Sequence, residues 1–321
     1  MTIEFPTPAQ PLKIGTRGSP LALAQAHETR SRLMAAFDLE EDAFAICVIK
    51  TTGDDRTLID ADIALKTIGN KGLFTKEIEE AMLSGEIDIA VHSTKDMPVE
   101  QPAGLVLDVF LPREDVRDAF VSLKYSGLAD LPQGAIVGTS SLRRRAQLMV
   151  KRPDLNVVEF RGNVQTRLKK LGEGVADATF LAMAGLNRMD MDDVPKTAIA
   201  PEDMLPAIAQ GTIGIERRAD DVRARDMLAA IHHGETGQRL AAERSFLAAL
   251  DGSCETPIGG LSIIEGGEIW LRGEILKPDG TQVFTGERRG PVADGAAMGQ
   301  ALAEELLGQA GADFFEAVAV G

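Results

Sequence analysis

The sequence has few cysteines, few aromatic side chains and no long apolar run. Its 321 residues include only two cysteines, and aromatic residues make up 4% of the chain. Because Cys47 and Cys254 are far apart and lack paired metal-ligand spacing, we expect neither a disulfide framework nor a metal site. No apolar run could span a bilayer, and the N-terminal residues lack the build of a secretory signal. These absences predict a cytoplasmic protein.

Positive charge is scarce overall. Lys and Arg number 34 against 49 Asp and Glu, and the formal net charge is −15 at pH 7. Such a chain repels nucleic acid and anionic membranes, so we expect neither as a partner. An anionic small molecule would have to be held by a local cluster of bases. No segment marks a subunit interface, and we expect a monomer.

The order of sequence patterns predicts α/β units followed by a different C-terminal part. Short apolar runs end in glycine- or serine-rich turns and then enter helical patterns. Ser19 suits the N-cap of a helix over residues 21–37, with Pro20 at its first position. Alternating strands and helices predict a parallel or mixed sheet. Hairpin signals near Gly266 and Asp279, followed by a helix, predict a small α+β domain.

One segment inverts the overall charge, since residues 140–170 contain nine bases and two acids. A solvated helix face explains four of these bases: Lys151, Arg152, Lys169 and Lys170. Arg143 and Arg144 fall in the first turn of a predicted helix, where the helix dipole disfavours cations. Backbone amides at the start of a helix favour the binding of an anion, and two arginines there could each form a bidentate contact with a carboxylate or phosphate. This turn is therefore a candidate anion site.

Other charged residues occupy comparable turns. Arg17, Lys95 and Arg161 each follow a predicted strand, and ligands of α/β sheets collect at the carboxyl ends of strands. The turns together predict one cleft built for a polyanion. Asp96, directly after Lys95, has two interpretations: a loop salt bridge, or a general acid or cation stabiliser. In the second case the nearby base favours its ionised form and burial opposes it.

Cys254 lies in a glycine-rich loop between a predicted helix and a predicted strand. A cysteine in such a loop is exposed enough to be a nucleophile or an attachment point. An inert thiol is equally compatible with the sequence, so the cysteine alone decides nothing.

Taken together, these segments resemble the hydroxymethylbilane synthase (porphobilinogen deaminase) family from Leu12 onward. The matching motifs occur in the family's order: Thr16-Arg17-Gly18-Ser19-Pro20-Leu21-Ala22-Leu23, Lys71-Gly72-Leu73-Phe74, Val91-His92-Ser93-Thr94-Lys95-Asp96-Met97-Pro98, Gly138-Thr139-Ser140-Ser141-Leu142-Arg143-Arg144, Arg161-Gly162-Asn163-Val164, Ala184-Gly185-Leu186-Asn187-Arg188, Gln210-Gly211 and the Cys254 loop with Pro257-Ile258-Gly259. Any one match could arise by chance, whereas eight in order are highly specific.

The resemblance implies a fold of two periplasmic-binding-protein type II-like α/β domains, with a cleft between them, plus a small C-terminal α+β domain. The implied domains are residues 1–111 with 212–231, residues 112–211, and residues 232–321 carrying the cofactor cysteine. The implied activity is the deamination and head-to-tail condensation of four porphobilinogen molecules into linear hydroxymethylbilane, with release of ammonia.

The resemblance also implies roles for individual residues. Cys254 would carry a dipyrromethane cofactor through a thioether, and Asp96 matches the family's catalytic carboxylate. Further residues would bind the cofactor: Lys95, Ser140, Ser141, Arg143, Arg144 and Arg167. The remaining matches would bind substrate and growing chain: Arg17, Ser19, Arg161 and Arg188.

One segment departs from the family pattern, and two other functions compete with the enzyme. Where the family has Lys-[Ile/Val]-Gly-x-Lys, this chain places Thr67 before Ile68, with Lys66 displaced by one position. A non-catalytic two-domain protein for a small anion would satisfy the strand-end turns, but it leaves Cys254, Asp96 and the C-terminal domain without a role. A nucleic-acid binder using residues 143–145 conflicts with the acidity and the low aromatic content.

Overall fold

The computed structural model describes residues 4–52, 75–250, 256–311 and 314–315. Cys254 and the segments around Thr67 and Lys71-Gly72-Leu73-Phe74 lie outside the described residues. The chain divides into two compact units, unit 1 comprising residues 1–113 with 212–237, and unit 2 comprising residues 114–211 with 238–321.

Helices and strands alternate as the sequence predicts. The helices are α1 Pro20–Phe37, α2 Lys76–Leu83, α3 Leu142–Lys151, α4 Val164–Gly172, α5 Met183–Arg188, α6 Val222–Ala229, α7 Gly234–Ala249 and α8 Gly295–Ala310. The strands are β1 Leu12–Thr16, β2 Phe44–Val48, β3 Ile89–Ser93, β4 Leu105–Phe110, β5 Asp118–Val121, β6 Ile136–Gly138, β7 Asn156–Val158, β8 Ala178–Ala182, β9 Lys196–Ala198, β10 Ile213–Arg218, β11 Ile258–Glu265, β12 Glu268–Leu276 and β13 Val283–Pro291. Short 3₁₀ turns include Thr94–Asp96.

Unit 1 is built on a mixed five-stranded sheet in the order β2-β1-β3-β10-β4. Strand β1 runs parallel to β2 and β3, and β10 runs antiparallel to β3 and β4. The predicted cap of α1 is confirmed, since Ser19 Oγ accepts from the Ala22 amide at 3.3 Å and Pro20 opens the helix. Apolar side chains of the sheet, including Ile14 and Ile89, pack against Leu33 of α1 in one buried core.

Unit 2 repeats this strand order in its own sheet, β7-β6-β8-β5-β9. Strand β6 is parallel to β7 and β8, while β5 is antiparallel to β8 and β9. The last position of β6, Gly138, requires glycine because a Cβ there would lie 2.4 Å from the Phe160 ring. The expectation of two like α/β halves with mixed sheets is confirmed by this shared order, although the sequence did not place the antiparallel strands.

The C-terminal part of unit 2 is an antiparallel sheet, β11-β12-β13, with α8 packed against β12 and β13. The predicted hairpins turn at Gly266-Gly267, where both φ angles are positive, and at residues 277–282. Ile269, Leu271 and Ile275 of β12 are fully buried. The predicted α+β character of this part is confirmed.

No helix in the parts of the chain that the structure describes has the length and apolarity needed to cross a membrane. Over the same residues, His, Cys, Asp and Glu side chains form no group of three or more suited to a metal ion.

Candidate active site

The carboxyl ends of β1 and β3 hold the candidate residues of unit 1. These strands are parallel neighbours, so the turn with Arg17 and Ser19 lies at the same sheet edge as the turn with Lys95 and Asp96. The side chain of Gln25 joins the two turns, since its Nε2 donates to Ser93 Oγ at 2.8 Å. A cavity of about 80 Å³ lies here, lined in part by Arg17, Ser19 and Asp96.

Asp96 closes a 3₁₀ turn and is exposed. The amide of the next residue, Met97, donates to Thr94 O at 3.1 Å and so fixes the turn. The exposure of this side chain differs from the burial that the sequence interpretation assumed for it. Asp96 is therefore open to a cationic group entering the cavity.

A buried pair lies beside this turn. Nε2 of His92 is 3.1 Å from Oε2 of Glu216, with side chains 5% and 0% exposed. His92 lines the same cavity as Asp96. Nearby on α2, burial raises the pKa of the Glu79 carboxyl, and the charge of Glu216 raises it further while His92 lowers it. His92 lines the cavity, and it interacts with two carboxyl groups outside the lining, Glu216 and Glu79, that the sequence did not connect with it.

Three strand ends of unit 2 carry its candidate residues in the same way. Strand β6 leads into Ser140 and Ser141, β7 leads into Arg161, and β8 leads into α5, which ends at Arg188. Ser141 caps α3 by accepting from the Arg144 amide at 3.4 Å, whereas Ser140 Oγ accepts from the Phe160 amide at 3.0 Å. Each serine hydroxyl therefore stabilises the backbone at the turn in which it lies.

Arg143 and Arg144 are buried on an internal carboxylate. They are 5% and 6% exposed, and Asp118, at 0%, forms ion pairs of 2.8 Å with Arg143 Nη1 and 2.7 Å with Arg144 Nη2. Burial alone raises the pKa of Asp118, but the two guanidinium charges outweigh it and hold that pKa well below its ordinary range. The charges of Arg143, Arg144 and Asp118 therefore sum to one positive charge at the start of α3.

The second helix start of unit 2 adds further polar groups. Asn163 caps α4 by accepting from the Thr166 amide at 2.9 Å, and Gly162 takes a φ of +116° that favours glycine. Arg167 Nε donates to Gly162 O at 2.9 Å, and Arg188 Nη2 donates to Gly211 O at 3.0 Å. These contacts hold two of the predicted anion-binding arginines to the backbone of their own unit.

The structure places the predicted residues in two sets. Unit 1 holds Arg17, Ser19, Lys95 and Asp96. Unit 2 holds Ser140, Ser141, Arg143, Arg144, Arg161, Arg167 and Arg188. Of the four bases interpreted as a solvated helix face, Lys151 pairs with Asp203 at 2.7 Å and Lys169 with Glu173 at 3.7 Å. Arg152 departs from that interpretation, since it is partly buried, pairs with Asp154 at 2.7 Å and donates to two backbone carbonyls.

Sequence reasoning missed several residues that hold these sets in place. Asp118 supports both buried arginines, Gln147 contacts Arg143, and Glu216 pairs with His92. A signal existed for two of them, since Asp118 begins the otherwise apolar strand β5 and Glu216 directly follows the Ile-Gly-Ile start of β10. Such a position favours a buried partner of opposite charge.

The fold and the two residue sets define an α/β protein with clustered basic and hydroxyl groups at its strand ends, followed by an α+β part. The sequence matches two family models. Residues 12–226 match the dipyromethane cofactor binding domain of porphobilinogen deaminase, and residues 238–308 match its C-terminal domain. The chain belongs to the porphobilinogen deaminase family.

Curated relatives agree along nearly the whole chain. Porphobilinogen deaminase of Paracoccus denitrificans is 65% identical over 313 residues, which cover 98% of this chain and 99% of that protein. The Nitrobacter winogradskyi enzyme is 53% identical, covering 94% of each chain. The chloroplastic enzyme of Pisum sativum is 51% identical, covering 95% of this chain and 83% of its own.

Two solved structures show partial similarity to this chain, both with a TM-score below 0.5. The VFT2 domain of Bordetella pertussis BvgS is 15% identical with a TM-score of 0.42, covering 73% of this chain and 91% of its own. A putative methionine-binding lipoprotein of Bacillus subtilis is 12% identical with a TM-score of 0.42, covering 72% of this chain and 93% of its own.

The residues of unit 2 fit a cofactor that carries carboxylates. Within the described residues, the buried Nε of Arg143 has no hydrogen-bond partner, so this guanidinium keeps a donor for a further acceptor. The capped starts of α3 and α4 both present the positive end of a helix dipole. Donors of this kind match the carboxylate groups of a dipyrromethane.

Proposed function

We propose that this chain is a transferase, a hydroxymethylbilane synthase that joins four porphobilinogen molecules head to tail and releases ammonia. Cys254 holds the dipyrromethane primer through a thioether. The observation that carries the proposal is that the two residue sets differ in chemistry. Unit 1 has an exposed carboxylate in the same cavity as Arg17, and unit 2 has arginine and serine side chains at the starts of two helices.

The bases act on the carboxylates. Each porphobilinogen unit carries two, so the growing chain gathers negative charge that arginine can pair bidentately. Ser140, Ser141, Arg143, Arg144, Arg167 and Lys95 bind the cofactor in this proposal. Arg17, Ser19, Arg161 and Arg188 bind substrate and growing chain. When bound, the dipyrromethane supplies the pyrrole carbon to which the first substrate is joined.

Asp96 is the catalytic carboxylate. It pairs with the protonated aminomethyl group of the substrate, whose C–N bond breaks with the electron pair leaving on ammonia. The negative charge then stabilises the cation that remains on the substrate. After the new C–C bond forms, Asp96 accepts the proton released from the pyrrole carbon and passes it to water. The same carboxylate serves all four condensations and the final hydrolysis, in which water breaks the bond between the primer and the finished chain and supplies the hydroxyl group of the product.

We further infer three domains, a monomer and a cytoplasmic location. The three separate sheets support residues 1–111 with 212–231, 112–211 and 232–321 as domains, with the third carrying Cys254. The net charge of −15 supports a chain without nucleic-acid or membrane partners, and the local clusters of bases support porphobilinogen as the small-molecule partner. Size-exclusion chromatography with light scattering tests the oligomeric state.

Intact mass under denaturing conditions tests the proposed function. The purified chain is expected to exceed its sequence mass by two pyrrole units, and Cys254→Ser is expected to have no excess. An unmodified wild-type chain that stays unmodified after incubation with porphobilinogen would contradict the proposal. That result would favour a non-catalytic protein that binds a small anion.

A further inference from the structure

A glutamate of the C-terminal sheet contacts the helix that carries the buried arginines. Glu274 lies on β12 and is partly buried in the wall of a cavity of about 480 Å³. Its carboxylate accepts a hydrogen bond from Nε2 of Gln147 on α3. Both residues belong to unit 2, so this contact joins the C-terminal sheet of the unit to its α/β part.

The strand after the Cys254 segment leaves room for this carboxyl group. Gly259 of β11 faces Glu274 across the sheet. A Cβ at residue 259 would lie 2.7 Å from Oε1 of Glu274 and 3.0 Å from its Cγ. Any larger residue would displace the carboxylate from its contact with Gln147. Gly259 therefore leaves the space in which the Glu274 carboxylate lies.

Gln147 connects Glu274 to Arg143 through its side-chain hydrogen bonds. The amide is 5% exposed, and its Nε2 also donates to Leu205 O at 2.9 Å. Two acceptors on the same side fix the amide orientation, which turns Oε1 towards Arg143. Arg143 Nη1 donates to that oxygen at 3.0 Å and to Leu205 O at 2.9 Å. Without Glu274, one of the two acceptors that orient the amide is lost.

Stability gives no reason for a carboxyl group at this position. Burial raises the pKa of Glu274, with the Gln147 hydrogen bond and the charges of Arg143 and Lys151 acting in the opposite direction. A partly buried charge is costly, and a well-packed apolar side chain is often as stable or more stable. A carboxyl group at this position therefore calls for a reason other than stability.

We propose that Glu274 is a positioning residue, which acts through Gln147 to hold the Arg143 guanidinium where it binds a carboxylate of the cofactor or growing chain. The proposal rests on the proposed function, since it assumes that Arg143 binds such a carboxylate. It adds a residue of the C-terminal sheet to the carboxylate-binding machinery.

The test compares Glu274→Leu and Glu274→Gln with Glu287→Leu. Glu287 lines the same cavity from β13, and it accepts from Trp270 Nε1 at 2.9 Å. For each full-length variant, intact mass gives the fraction of chains with cofactor, before and after incubation with porphobilinogen. Steady-state kinetics gives KM and kcat, and thermal unfolding controls for the fold.

Glu274→Leu is expected to raise KM for porphobilinogen up to about tenfold, the scale of one lost hydrogen bond, with kcat little changed. Its cofactor loading should slow by a similar factor. Glu274→Gln keeps an oxygen that accepts from Gln147 and should restore both values to within about twofold of wild type. Glu287→Leu should leave KM and loading within the same range.

Equal KM and loading for Glu274→Leu and Glu287→Leu would overturn the proposal, as would failure of Glu274→Gln to restore them. If Glu274→Leu does not fold, Gln147→Met breaks the same link from its other end and carries the same expectation. A wild-type chain that never acquires the cofactor mass would instead contradict the proposed function. The two failures are therefore distinguishable.

Discussion

The turn of Asp96 in unit 1 and the turn of Arg143 and Arg144 in unit 2 are built alike but leave their charges in different surroundings. Each turn follows an inner strand of a mixed five-stranded sheet and lies next to a parallel neighbour, with β3 third in the order of the unit 1 sheet and β6 second in that of unit 2. Asp96 is exposed, whereas the two arginines are at most 6% exposed and paired to Asp118. The exposed charge is available for chemistry, while the buried charges also support the fold.

This difference separates activity from stability. An exposed carboxylate contributes little to the free energy of unfolding, so its replacement should affect the reaction alone. A buried ion cluster is costly to break, because the remaining charge loses its partner. Substitutions in the Asp96 turn should therefore lower activity, whereas substitutions that break the ion pairs of Arg143 and Arg144 should lower the free energy of unfolding.

The largest expected effect is on turnover by Asp96→Asn. Loss of the carboxylate should lower kcat by about 10²–10⁴-fold, the usual contribution of a general acid or base. The free energy of unfolding should stay within about 0.5 kcal/mol of wild type. Glu100→Gln, an exposed acid of the same segment, should keep near-normal turnover. Near-normal turnover in Asp96→Asn would remove Asp96 from its role.

Asp118→Asn should chiefly destabilise the protein. Two buried guanidiniums would lose their carboxylate, and we expect a loss of about 3–5 kcal/mol in chemical denaturation. The exposed pair of the same helix provides a control, since Asp203→Asn removes the partner of Lys151 and should cost less than about 1 kcal/mol. Similar losses in both variants would show that burial does not separate these pairs.

The pH dependence of this effect has a definite sign. The pKa of Asp118 is lowered in the folded state, so its contribution is complete above the ordinary carboxyl pKa of about 4. It is lost as the pH falls through the lower folded-state value. The stability difference between wild type and Asp118→Asn should thus be constant near neutral pH and shrink only in acid.

His92→Leu should have a smaller effect in unit 1. Glu216 would remain buried without its histidine partner, at a cost of about 1–3 kcal/mol in the free energy of unfolding. His92→Gln can still donate to the carboxylate and should recover most of this loss. If both variants have the same free energy of unfolding, the hydrogen bond to Glu216 is not what stabilises this position.

The smallest expected effect comes from Glu274→Gln. Because the folded state raises the pKa of Glu274, the wild-type carboxyl stabilises the protein most below its unfolded pKa of about 4 and loses that contribution as the pH rises. The variant has no such titration. Its stability relative to wild type, measured by urea denaturation, should therefore increase as the pH rises from about 4 towards neutral.

Local sequence patterns predicted much of this molecule. Ser19 and Pro20 specify the start of α1 through capping and a fixed φ, and Gly266-Gly267 specifies a hairpin turn by its positive φ angles. Arg143 and Arg144 were found because they contradict the helix dipole. In each case the cause lies within a few neighbouring residues, so the sequence contains it.

Contacts between distant segments could not be predicted in this way. Asp118 and Arg144 are 26 positions apart, and Gln147 and Glu274 are 127 apart. The antiparallel strands β5 and β10, which bring Asp118 and Glu216 into their sheets, leave no short-range signal of their partners. The buried pairs appear only once the chain is folded.

The sequence by itself determined the elements of this protein, the motifs of its family and the residue types needed to bind and process a polycarboxylate. Tertiary structure decided which charged groups are exposed to solvent and which are buried in ion pairs. Asp96 is exposed, whereas Arg143 and Arg144 pair with the buried Asp118. Glu274 is connected to Arg143 through hydrogen bonds of Gln147. The reason is that capping, turn and periodicity preferences act locally. Burial and charge pairing depend on which distant residues the sheets bring together.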